Sequence, residues 1–222
     1  MDDKKLNNIQ NINMLYDYAM DNSEYIMIKE MFLSALFFNT SAAMALQNIR
    51  IKRKSNNKDK IIVPNYFGVT FGNSGIGKNH SDNIARSIYK PMFEKFNDRA
   101  YTFFEARRDE KRIPDPRYLN MSSYFIPVTS SWQALQKAAQ TVKDMDVGSV
   151  NVISDELADN IMSMAEIFTK LKSTWDTGQS EGPLNVTSGG EAYFLVEDVV
   201  FNALLFGAPA PFELVAAKKD RL

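Results

Sequence analysis

Apolar residues recur at helical spacing through the first fifty residues, with Ile9, Ile12, Leu15 and Tyr16 forming one set and Met27, Met31, Ala35 and Phe38 another. Few helix breakers interrupt Leu6 to Ile49, which predicts a helical N-terminal segment. Between Arg50 and Lys60 the pattern turns polar, and Lys52, Arg53, Lys54, Lys58 and Lys60 around Ser55-Asn56-Asn57 predict a basic loop. From Ile61 the chain becomes β-rich. Phe67 to Phe71 predicts a buried strand, glycine-rich punctuation follows, and a helical pattern runs from Asn79 to Phe96. Tyr124 to Val128 and Val150 to Ile153 predict two more buried strands with a helix, Trp132 to Val142, between them. Ala158 to Leu171 predicts a further helix, and Phe201 to Phe206 a last strand ending at Gly207-Ala208-Pro209. The charged stretch Glu105 to Pro116 reads as a solvated insertion. Strands alternating with helices point to an α/β fold whose mostly parallel sheet is flanked by helices. The predicted division is an N-terminal helical segment and basic loop over residues 1–60, followed by a core over residues 61–222.

Composition narrows the chemistry. At 222 residues the chain can bury one large α/β core or a core with a smaller appendage. The absence of cysteine excludes disulfides, cysteine-ligated zinc and thiol catalysis, and the single histidine leaves a metal to be held by oxygen. Lysine plus arginine number 26 against 27 aspartate plus glutamate, so attraction to a polyanion has to come from local patches. Met1-Asp2-Asp3-Lys4-Lys5 does not open a secretory signal, and the apolar stretch Met31 to Leu46 is broken by Ser34, Asn39, Thr40 and Ser41. The expectation is a soluble cytoplasmic protein with no membrane partner.

The sharpest chemical statement lies after the strand at Phe67. Gly72-Asn73-Ser74-Gly75-Ile76-Gly77-Lys78 fits the pattern G-x-x-x-x-G-K, in which glycines let the backbone curl until successive amides face phosphate oxygens. Lys78 would reach the β- and γ-phosphates, and the following helix would add its N-terminal amides and dipole. Asn79 stands where the pattern places a serine or threonine to ligate magnesium; its carbonyl oxygen can serve as a ligand, and Ser81 is a weaker substitute. His80 shares this first turn, where its ring can face the nucleotide or simply lie on the helix surface. A second signal is the apolar run Val150 to Ser154 ending in Asp155-Glu156. There Asp155 would hold magnesium through water, and Glu156 would orient or deprotonate the attacking water. Without the loop, this run reads equally as a strand ending in a solvated turn.

Taken together, these landmarks resemble the RecA-like P-loop ATPase core of phage and mobile-element primase-helicases, a family long catalogued as a domain of unknown function. The resemblance is carried by the helical stretch Met27 to Asn48, the strand and loop from Phe67 to Lys78, and the turn and helix Val128-Thr129-Ser130-Ser131-Trp132-Gln133-Ala134-Leu135. It continues through Ser154-Asp155-Glu156, the Leu171 to Gly178 segment with Trp175-Asp176, and Leu204-Leu205-Phe206-Gly207-Ala208-Pro209. The resemblance implies ATP and Mg2+ as cofactors, single-stranded DNA as a nucleic-acid partner and, in the full-length form, a homo-oligomeric ring that completes each site with an arginine in trans. It also implies hydrolysis driving a replicative helicase or primase-helicase; a DNA-packaging ATPase and a nucleotide-binding assembly or regulatory module with little turnover are the alternatives. Two departures stand out. Ala208 offers no hydroxyl to sense the γ-phosphate, leaving Asn202 or a backbone group for that role, and no arginine finger is evident after Asp155. The chain ends at Lys218-Lys219-Asp220-Arg221-Leu222, where helicase cores continue with further strands, and is read as a fragment of a longer protein or a shortened relative.

Overall fold

Val200–Gly207 is apolar at every position but Asn202 and the terminal glycine, and such a run suits a strand covered on both faces. All of its residues are buried. In a computed structural model of the chain it is an inner strand of a parallel sheet. The structure describes residues 10–21, 23–24, 27–47, 49–55, 58–62, 64–73, 76–95, 125–127, 132–144, 149–154, 180–186, 190–196 and 199–209.

In chain order the described elements are α1 (Ile12–Asp21), α2 (Lys29–Leu46), β1 (Ile51–Ser55), β2 (Lys58–Ile62), β3 (Phe67–Phe71), α3 (Lys78–Ile88), β4 (Phe125–Pro127), α4 (Trp132–Asp144), β5 (Ser149–Ser154), β6 (Ser180–Val186), β7 (Gly190–Val196) and β8 (Val200–Gly207). Three longer strands lie in the order β3-β8-β5, and the three-residue β4 extends the sheet beyond β5. All the pairings are parallel. The last strand in sequence is therefore inserted between the first and the third, so loops leaving β3, β8 and β5 share one edge.

The alternation of β8 divides the core. Phe201, Ala203 and Leu205 join Val150 and Val152 of β5 under Leu135, Ala139 and Val142 of α4. Leu204 and Phe206 point the other way, against Phe32, Ala35 and Phe38 of α2, Ala19 of α1 and Ala85 of α3. Helix α2 is apolar around much of its circumference, as expected of a helix enclosed by other elements. Phe32 and Phe38 are fully buried, each contributing about 1.5–3 kcal/mol by transfer from water. Residues 29–46, grouped by their sequence with the N-terminal segment, thus form part of the same core as the sheet.

Local signals set the helix ends. Asn11 caps α1, its Oδ1 accepting from the amides of Asn13 and Met14 at 3.0 Å each. The helix predicted from Asn79 to Phe96 is interrupted: α3 ends at Ile88, Tyr89 is a turn, and residues 90–95 are helical again. Pro91 explains the break, since it has no N–H to give to the Ser87 carbonyl.

Two expectations need revision. The basic stretch predicted as a loop is an antiparallel ribbon in which Ile51 pairs with Ile62 and Ser55 with Lys58. Charge marks a solvated segment, but main-chain pairing can still make it a ribbon. A second antiparallel ribbon, β6 with β7, lies between β5 and β8 in sequence and touches α4; no element was predicted there. The expected helix from Ala158 to Leu171 and the insertion from Glu105 to Pro116 lie outside the described residues. Among the described residues, no helix is long and apolar enough to cross a membrane.

Candidate functional site

Because the strands are parallel, their carboxyl ends define one edge of the sheet. Phe71 is in register with Gly207, and Ser154 with Leu205. Leu205 is also in register with Val69, so β5 ends level with Val69, two residues before the end of β3 and two strand spacings, or about 10 Å, across the sheet from it. The glycine-rich sequence leaves β3 at this edge and enters α3. Open parallel sheets bind ligands at this edge, outside the carboxyl ends of their strands.

The loop is tied at both ends. The Gly72 amide donates to the Gly207 carbonyl at 2.9 Å, joining the start of the loop to the end of β8. Gly77 is the N-cap of α3 and has φ 79° and ψ 26°, a left-handed conformation that an alanine reaches only at a cost of about 1 kcal/mol. The Ser81 amide donates to the Gly77 carbonyl at 2.8 Å and starts the helical ladder, so the amides of the preceding turn point along the helix axis toward the loop. Gly72 is also closely approached. A Cβ there would lie 2.0 Å from Ile76 Cδ1 and 2.3 Å from Met31 Cε, so a side chain would displace both groups.

The predicted residues fall as follows. Lys78 is half-buried and its Nζ donates to the Gly72 carbonyl at 3.3 Å, folding the ammonium across the mouth of the loop. Asn73 and Asn79 are exposed, and Ile76 packs toward Gly72. His80 is half-buried, with Nε2 2.6 Å from Ser23 Oγ, so the ring meets the connection between α1 and α2. Ser81 is fully buried and donates to the Gly77 carbonyl at 2.9 Å; its hydroxyl closes the helix turn and lends no support to a metal role. Ser74, Gly75, Asp155 and Glu156 lie outside the described residues, and the chain enters the last two directly from Ser154, the buried end of β5. Among the described residues, no group of three or more histidine, aspartate or glutamate side chains could hold a metal ion.

Asn202 is not at this edge. It sits five residues before Gly207, about 17 Å away along β8, and its side chain is fully engaged. Its Oδ1 accepts from Ser41 Oγ and from the Tyr66 amide at 2.8 Å each, while its Nδ2 donates to Asn151 Oδ1 at 2.8 Å. The possibility that Asn202 senses a γ-phosphate is therefore withdrawn. It locks the amino end of the sheet.

Sequence reasoning missed the supports beneath the loop. Ser34 Oγ lies 2.7 Å from Tyr66 OH and accepts from Thr70 Oγ1 at 3.1 Å, joining α2 to β3 just before Gly72. Behind α3, Asn39 Nδ2 donates to Asp82 Oδ1 at 2.9 Å, and Arg86 pairs with the other carboxylate oxygen at 2.5 Å. Apart from Asp82 and Arg86, which stand four residues apart on α3, these partners are too far apart in sequence for helical periodicity to connect them. Comparison with protein-family models, with curated proteins and with solved structures gave no match.

Proposed function

We propose that this chain binds a nucleoside triphosphate at residues 72–80 and hydrolyses it as the RecA-like core of a motor acting on nucleic acid. One observation carries the reading: a G-x-x-x-x-G-K loop joins a parallel strand to a helix N-terminus at the carboxyl edge of the sheet, with a left-handed glycine at the joint. The strand order supports the finer fold, because it leaves a single strand between the loop-bearing β3 and β5, from which the chain enters Asp155-Glu156.

In this reading the amides of Asn73 to Lys78 and of the first turn of α3 bind phosphate oxygens, and Lys78 exchanges the Gly72 carbonyl for the β- and γ-phosphates. Bound magnesium would neutralise charge on those oxygens. Asn79, exposed at the helix start, and Asp155 are the residues assigned to hold it. Glu156 orients the attacking water and accepts its proton. ATP is the proposed nucleotide, single-stranded DNA the proposed track and the cytoplasm the proposed location.

A nucleotide-binding module with little turnover is the second reading. It is favoured by the missing hydroxyl at Asn79 together with the commitment of the Ser81 hydroxyl to Gly77. Hydrolysis of Mg-ATP, measured with and without single-stranded DNA, separates the two. The motor reading expects turnover stimulated by DNA and expects Glu156→Gln to keep ATP affinity while losing hydrolysis. Binding without turnover in the unaltered chain supports the module, and loss of binding in Glu156→Gln contradicts the role given to that carboxylate.

A further inference from the structure

The connection between α1 and α2 reaches the first turn of α3 across 57 residues of sequence, through Ser23 Oγ and His80 Nε2. That turn is the one whose amides point toward the loop. Its N-cap, Gly77, has no side chain with which to fix the turn, so its orientation depends on ties made by the residues that follow. Lys78 is tied back to Gly72, and Asn79 is exposed. His80 carries the tie to another part of the fold.

Farther along, α3 is held by α2: Asn39 bonds Asp82, and Thr40 Oγ1 lies 2.6 Å from Tyr89 OH. Both contacts come from a helix embedded in the core. Ser23 belongs to no helix or strand, yet Met27, four residues on, is buried against the body. Tyr16 OH donates to the Met27 carbonyl at 2.8 Å, and Ala19 of α1 shares a core cluster with Ala85 of α3. With Nε2 engaged, the ring is not free to follow a ligand. His80 then contributes through the place it gives its own backbone.

We propose that Ser23 is a positioning residue for the nucleotide site, its hydrogen bond to His80 setting the first turn of α3 in the orientation in which the turn's amides meet phosphate. This rests on the reading of residues 72–80 as a nucleotide site. It also makes Ser23, between α1 and α2, part of that site.

The test titrates Mg-ATP by calorimetry into the full chain and into Ser23→Ala, Ser23→Thr, His80→Ala and the Ser23→Ala/His80→Ala double variant. Thermal unfolding without nucleotide is measured alongside. Loss of one hydrogen bond corresponds to about threefold to tenfold weaker binding for Ser23→Ala. His80→Ala in the Ser23→Ala background should add no comparable loss, and Ser23→Thr should restore affinity by keeping the hydroxyl. Wild-type affinity in Ser23→Ala overturns the proposal, as does a lowered unfolding midpoint with ATP affinity unchanged, or losses that add in the double variant. An unaltered chain that binds no ATP defeats the nucleotide reading and the positioning role together. Binding by the unaltered chain with unchanged affinity in Ser23→Ala defeats the positioning role alone.

Discussion

The two ends of the parallel sheet use polar groups in opposite ways. At the amino end, Ser41, Asn202, Asn151 and Ser149 form a buried chain of side-chain hydrogen bonds that also holds the Tyr66 amide. At the carboxyl end, the residues entering the loop are glycines and an exposed asparagine, and the backbone of the helix start is directed outward. The first arrangement satisfies its own donors and acceptors and fixes which strands meet. The second leaves main-chain donors aimed at a place where a phosphate can complete them. Polarity alone does not mark a functional site; polarity satisfied from outside the protein does.

Substitutions at the two ends should therefore separate binding from stability. The largest expected effect is at the carboxyl end, where Lys78→Ala removes the only cation of the loop motif. A charge-assisted contact with a triphosphate is worth about 1.5–3 kcal/mol, so ATP affinity should fall about tenfold to more than a hundredfold, while the unfolding free energy changes little. Calorimetric titration together with denaturant unfolding checks both halves. At the amino end, Asn202→Leu leaves the buried Asn151 Oδ1 and the part-buried Tyr66 N–H without their partner. The expected cost is about 3 kcal/mol of stability, measured by urea unfolding, with ATP affinity preserved in the fraction that stays folded. A loss of affinity without a loss of stability would return Asn202 to the nucleotide site.

A smaller test lies in the α4 layer. Gln136 is fully buried, and among the described residues neither polar atom of its amide has a hydrogen-bond partner. Replacing a buried amide that makes no bonds with an apolar group of similar size removes a desolvation penalty. Gln136→Leu should therefore be neutral or stabilising by about 1 kcal/mol in the same unfolding measurement. Clear destabilisation would mean that the amide is satisfied in solution and belongs with the amino-end network.

The sequence made the sheet legible because its strands are mostly apolar runs bounded by breakers, although β3, predicted as buried, ends the strand order and leaves Val69 and Phe71 exposed. Phe67–Phe71 matches its predicted bounds, and Val200–Gly207 extends the predicted run by one residue at each end. The loop was legible for a different reason: three glycines and a lysine at fixed spacing describe backbone geometry directly. The two antiparallel ribbons were not, since their strands are interrupted by charges, glycines or a proline and lack the alternation that marks a half-buried strand. Pairings between distant residues escaped for want of any local signal. Ser23 with His80 and Ser41 with Asn202 are separated by 57 and 161 residues, and only the folded chain brings them together. Asn202 shows the risk of assigning such residues by type: the right kind of side chain stood at the wrong end of its strand.

The most direct test is a calorimetric titration of Mg-ATP into the unaltered chain, with Mg-ADP and inorganic phosphate titrated in parallel. The expected result is one site per chain, ATP bound more tightly than ADP, and inorganic phosphate binding weakly and in competition with ATP. A matching rise in unfolding temperature should appear, since ligand at a hundred times its Kd stabilises by about 2.7 kcal/mol. No binding of ATP at millimolar concentration, with the chain shown to be folded by its unfolding transition, would contradict the account at its centre.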